Sequence, residues 1–174
     1  VTTPDLRVAD CEYNKNQMVE KVKKMAGEKV SLVCFPEFSL TGYTCGDLFL
    51  HDTLVEGAKD ALAAYCEETK SYEIVSVVGL PLDHNGKLYN VAAVIYGGKI
   101  LGFVPKSYLP NYSEFYEARQ FVEAPAENGV TQTNGNGSAP VAYTQIGTTK
   151  QTDTWKITVT DNFSLDPASV SVAV

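Results

Sequence analysis

The sequence predicts an α/β fold in which helices pack on a sheet, and three observations lead there. Two stretches carry apolar residues at helical spacing, several short runs are rich in Val, Ile and Leu, and two Gly-containing dipeptides sit where tight turns would join such runs. The order of these signals is helix, strand, helix, strand, strand, strand. A chain of 174 residues suits one domain that buries roughly two-thirds of its unfolded surface.

The first helix is expected from Asn14 to Gly27. Met18, Val22, Met25 and Ala26 fall on one face, and Gly27 sits where a C-terminal cap belongs. Lys29 to Phe35 is a short apolar run, read as a buried strand. Ser39 to Leu50, rich in Gly and Thr, reads as a loop. A second helix begins near Asp52, where Thr53 and Glu56 have capping-box spacing, and its inner face carries Val55, Ala58, Leu62, Tyr65 and Cys66.

Glu73 to Leu80 is strand-like. Asn85-Gly86 signals a tight hairpin into Leu88 to Tyr96, and Gly97-Gly98 joins that strand to Lys99–Lys106. After Pro125 the character changes. Residues 126–150 contain Thr131-Gln132-Thr133-Asn134-Gly135-Asn136-Gly137-Ser138, without apolar periodicity, and read as a flexible linker. Trp155 to Thr160 and Val170 to Val174 alternate, as half-buried strands do. The expected organisation is therefore 1–125 as the main domain, 126–150 as linker and 151–174 as a divergent strand-forming tail, peripheral to the main sheet.

Composition excludes several functions. A formal charge of −7 and a pI near 4.8 argue against nucleic acid, which needs clustered Lys and Arg. The densest basic stretch, Lys21 to Lys24, lies beside Glu20 and Glu28 and reads as a solvated helix face. No apolar run is long enough to span a bilayer, and the first residues do not read as a signal peptide. Cysteines at 11, 34, 45 and 66 form no Cys-x-x-Cys pair and read as buried thiols of a cytoplasmic protein. His51 and His84 are too few and too scattered for zinc, so no metal site is expected.

Two residues carry chemistry. Glu37 closes the apolar run Leu32 to Pro36, and Lys106 closes Ile100 to Pro105. A carboxylate and an ammonium at two strand ends, meeting in one cleft, would serve a thiol as general base and oxyanion stabiliser. Their charged groups are expected within salt-bridge or single-water distance.

The segments LRVADCEYN (6–14), LVCFPEFSLTGYTCGDLF (32–49) and PKSYLPNYSEFYEARQF (105–121) resemble the nitrilase or carbon–nitrogen hydrolase superfamily. Within it they look most like the amidase (glutaminase) domains of glutamine-dependent NAD+ synthetases. The resemblance covers residues 3 to about 123. It implies a partial nitrilase-like α-β-β-α sandwich that forms homo-oligomers. By resemblance Glu37 is the general base, Lys106 the oxyanion lysine, and Tyr43 and Tyr112 line a glutamine pocket. Glu114, eight residues after Lys106, matches a second glutamate near that lysine. An ion pair with Arg119 is an equal reading, and Arg119 itself reads as structural.

The implied reaction releases ammonia from the side-chain amide of glutamine through a thioester. ATP and nicotinic acid adenine dinucleotide would belong to a synthetase domain that these residues do not include, so no cofactor is expected here. No cysteine follows Lys106, and Thr160 is the nearest occupant of the nucleophile's place. Three readings follow: a truncated or inactive amide hydrolase domain, a non-catalytic pocket-bearing or oligomerisation module, and a fold fragment with an unrelated last fifty or so residues.

Overall fold

The structure, a computed structural model, describes residues 1–124 and three strands beyond them. Helix α1 spans Cys11–Gly27 and starts three residues before the expected Asn14. The reason is Asp10, whose carboxylate accepts from the Tyr13 amide at 3.0 Å and caps the first turn. At the other end Gly27 remains helical. The chain leaves through Glu28, and Lys29 adopts the left-handed φ of 59°. Met18 and Val22 are fully buried, whereas Met25 and Ala26 are only partly so. Lys15, on the same helix, is buried and bonded to Glu68 at 2.6 Å.

Strand β1 is only Leu32–Cys34, shorter than its apolar run, because Phe35 and Pro36 already enter the turn that carries Glu37. Helix α2 is Asp52–Thr69, and the five residues assigned to its inner face are all buried. The expected capping box is not formed. His51 takes the N-cap position without a side-chain bond, and Glu56 instead pairs with Lys59 at 2.7 Å.

Strands β2 (Val75–His84), β3 (Lys87–Tyr96) and β4 (Lys99–Pro105) follow as an antiparallel meander, and β1 adds parallel to β2, giving the order β1-β2-β3-β4. β2 runs four residues past the expected Leu80, through Pro81. That proline lies opposite Asn90, whose carbonyl turns the other way and accepts from the Lys106 amide, just past β4, at 2.8 Å. No ladder bond is therefore required of Pro81. Both hairpin turns place two residues at positive φ, Asn85 and Gly86 in one, Gly97 and Gly98 in the other.

One apolar cluster joins the layers. Tyr65 of α2 meets Phe35 edge-on and donates to Ser76 of β2 at 2.8 Å, while Leu80, Val91 and Phe103 fill the sheet side.

Beyond residue 124, β5 (Ala142–Gln145), β6 (Thr154–Val159) and β7 (Ala168–Ala173) form an antiparallel sheet in that order. β6 pairs with β7, as the two alternating runs suggest, but β5 falls inside the stretch expected to be linker. The remainder of that stretch and Thr160 lie outside the described residues.

Candidate active site

Glu37 is held out by a turn that side-chain chemistry alone would not favour. Phe38, the next residue, is buried at a φ of 50°, a left-handed conformation that a bulky residue rarely adopts. The surroundings hold it there. The Phe38 carbonyl accepts from Thr41 and Gly42 at 3.0 and 2.7 Å, and Leu40 donates to the Gly79 carbonyl at 3.2 Å. Ser39 Oγ accepts from the Gly79 amide at 3.1 Å. Gly79 permits this approach because a Cβ there would lie 2.5 Å from the Phe38 nitrogen and 2.7 Å from the Pro36 oxygen.

Lys106 arrives on the other side, one residue beyond β4. Its Nζ lies 2.7 Å from Glu37 Oε1, so the two charges meet as the sequence leads one to expect. A second carboxylate is also there, from Glu117 rather than Glu114. Both Glu117 oxygens accept from Lys106 Nζ at 3.1 Å.

Glu117 is 6% exposed and is held from two further directions. Tyr43 donates its hydroxyl to Oε1 at 2.7 Å, and Asn90 donates Nδ2 to Oε2 at 3.3 Å. Asn90, itself 4% exposed, also donates to Glu37 Oε1. Two carboxylates, one ammonium, one phenol and one amide thus form a single connected cluster.

The cluster's charge state follows from these contacts. Burial alone would lower the pKa of Lys106, but its bonds to Glu37 and Glu117 outweigh burial and hold it above the ordinary lysine value. Burial, and next the bond to Glu117, push the Tyr43 hydroxyl upward, so it stays a donor. One ammonium between two carboxylates leaves one formal negative charge. Such a cluster can accept a proton and can also present a fixed positive charge.

Beside it lies a cleft of about 400 Å³ whose walls include Phe38, Phe49, Phe115, Tyr116 and Phe121. Tyr43 and Glu117 belong to both cleft and cluster. Phe38, Phe49 and Phe121 are buried and pack against one another, tilted or edge-on, with centroids 4.8 to 5.0 Å apart.

The remaining sequence candidates fall in three places. Glu114 lines the cleft without bonding to Lys106. Tyr112 is exposed and does not itself line the cleft, but meets the wall residue Phe115 edge-on at 5.7 Å. Arg119 does not pair with Glu114. Its guanidinium forks onto Asp47, Nε to Oδ1 at 2.7 Å and Nη2 to Oδ2 at 2.8 Å.

Glu117 and Asn90 were missed. Glu117 stands in the quoted motif, but spacing did not say which glutamate turns back to Lys106. Asn90 had one available signal, a lone amide in an otherwise apolar strand.

None of the cysteines sits in the cluster's bonding network. Burial pushes the Cys11 and Cys66 thiols up to about 11 and raises that of Cys45 as well, so at neutral pH these three are protonated. Among the described residues no group of three or more His, Cys, Asp or Glu could hold a metal ion, and no helix is long and apolar enough to cross a membrane.

Turn, sheet and cluster define a chain of nitrilase-superfamily fold. The structure of an amidase from Nesterenkonia, of that superfamily, superposes with a TM-score of 0.60 at 17% identity, covering 76% of this chain and 50% of that one. The carbon–nitrogen hydrolase family matches residues 2–159, and the chain belongs to that family. The match runs past residue 123, about where the resemblance read from the motifs ends, and takes in β6.

The chain is 38% identical over 136 residues to the glutamine-dependent NAD(+) synthetase of Mycobacterium tuberculosis, covering 78% of this chain and 20% of the relative. It is 38% identical over 114 residues to that of Aquifex aeolicus, covering 66% and 20%. The crystal structure of a glutamine-dependent NAD(+) synthetase from Cytophaga hutchinsonii has a TM-score of 0.73 at 26% identity, over 83% of this chain and 25% of that one. The chain therefore spans about one fifth of the length of the curated relatives it matches.

Proposed function

We propose that this chain carries the base and oxyanion side of a centre that hydrolyses the side-chain amide of glutamine, and that the 174-residue chain by itself does not turn over. The observation that carries the first half is the contact of Lys106 with both Glu37 and Glu117 beside an aromatic cleft. Glu37, the more exposed carboxylate, takes the proton of an attacking thiol and returns it to departing ammonia. Lys106 faces the developing oxyanion. Its three N–H groups rest on carboxylate oxygens, and the two 3.1 Å contacts to Glu117 are the ones that lengthen when an oxyanion competes. Glu114 and the aromatic wall, with Tyr112 nearby, contact the rest of the substrate.

The second half rests on the cysteines. All four precede Lys106, whereas the family's nucleophile follows it. Threonine nucleophiles rely on a chain-terminal amine for activation, and Thr160 lies inside the sequence. The released ammonia would serve NAD+ synthesis on a separate synthetase domain, which would bind ATP and nicotinic acid adenine dinucleotide.

Ammonia release from glutamine tests this. The chain is expected to give none above the blank, and Glu37→Gln should leave the blank unchanged. Turnover abolished by iodoacetamide would show a working thiol and contradict the second half. A non-catalytic pocket module is the other reading that the missing thiol favours. Isothermal titration separates the two halves: glutamine binding without turnover supports the pocket, and no binding at millimolar glutamine contradicts the substrate assignment.

A further inference from the structure

We infer that Asn90 is a positioning residue that sets the two carboxylates of this cluster on Lys106. The inference rests on the reading of Glu37 as base and deepens it. Asn90 sits inside β3 between buried Tyr89 and Val91, where a side-chain amide without partners would be destabilising.

Its partners are the cluster itself. A side-chain NH2 group has two N–H bonds, and here one goes to Glu37 Oε1 and the other to Glu117 Oε2. The backbone carbonyl of the same residue accepts from the Lys106 amide at 2.8 Å. One strand residue thus fixes the main chain of the lysine and the orientation of both acids.

That arrangement matters when Lys106 turns toward an oxyanion. With Lys106 their only shared partner, the two carboxylates would follow it or repel one another. Asn90 gives each a second donor that does not move with the lysine. Tyr43 adds a third hold on Glu117, whereas among the described residues Glu37 has side-chain bonds from Asn90 and Lys106 alone. Glu37 is therefore the acid that depends most on Asn90.

The test follows the Lys106 ammonium by NMR titration in the intact chain and needs no turnover, so it stands apart from the choice of substrate. Asn90→Leu should lower the Lys106 midpoint by roughly one pH unit, because Glu37 swings away. Asn90→Asp should raise it, because a third carboxylate joins the cluster. Opposite signs distinguish positioning from simple loss of packing, which moves both variants together. An unchanged midpoint in folded Asn90→Leu overturns the inference. If that variant does not fold, the Asn90 side-chain amide protons decide. Glu37→Gln and Glu117→Gln should each shift one of the two, and no shift in either overturns the inference.

Discussion

Two acid–base contacts join the same pair of segments, residues 37–50 and 106–121, and they differ in almost everything except charge. Lys106 with Glu37 and Glu117 is a five-residue network whose inner acid is buried and whose lysine side chain is 30% exposed. Arg119 with Asp47 has the better fork geometry, yet its side chains are 59% and 57% exposed. Enclosure, rather than ideal pairing, separates a contact that can do chemistry from one that only ties two loops together. Water screens the second pair and competes for its hydrogen bonds. In the first, every donor of Lys106 is spoken for by a group that other residues hold in place.

The comparison breaks most severely at the backbone that presents Glu37. Gly79→Ala would press a methyl group into the Phe38 amide and the Pro36 carbonyl. Chain, not side chain, would have to yield, so a loss of about 3 kcal/mol or more is expected in urea unfolding. A near-native midpoint would mean that the 36–42 turn is not pinned as described.

Next comes the lysine. Lys106→Met strands Glu117 without its counterion, and about 2–3 kcal/mol should be lost. That is at or below the lower end for a broken buried pair, because Lys106 keeps some solvent contact. Adding Glu117→Gln should recover about 1 kcal/mol of it. A double variant no more stable than Lys106→Met would argue that Glu117 is not the dependent partner.

The two contacts should also report at opposite ends of the pH scale. Lys106 has a folded pKa above the ordinary 10.5. Its stabilisation is therefore complete below that value and disappears as pH rises through the folded one. Asp47 is the reverse case. Hydrogen bonds from Arg119 and then Gln120 lower it from 3.8 to about 2. Its contribution is present above 3.8 and fades as pH falls toward 2. Lys106→Met should flatten the alkaline limb alone, and Arg119→Ala the acid limb alone. Variants that affect both limbs equally would show that the contacts are not independent.

The smallest effect is expected from Arg119→Ala at neutral pH and physiological salt, where the drop in melting midpoint should be slight and below that of any variant above. A clear drop would mean that the fork braces the loop carrying Glu117.

Glu37 and Lys106 were legible because each ends an apolar run, and strand ends are where a sheet delivers side chains to one edge. The meander was legible because Asn85-Gly86 and Gly97-Gly98 announce its turns. The return path from Lys106 to Glu117 was not. It passes through Ser113 at a φ of 53° and has no period, so residues eight and eleven positions beyond Lys106 could not be ranked by spacing. Asn90 was hidden for another reason: an amide in a strand reads as an outward residue until the neighbour it faces is known. The start of α1 was displaced by Asp10, whose cap outweighs the helical period that begins later.

A pair of double-mutant cycles tests the contrast between the two contacts most directly. One cycle uses Glu37→Gln with Lys106→Met, the other Asp47→Asn with Arg119→Ala, both followed by urea unfolding at physiological salt. A coupling of at least about 1 kcal/mol is expected in the first cycle and a clearly smaller one in the second. Absence of coupling between Glu37 and Lys106, or equal coupling in both cycles, would contradict the account.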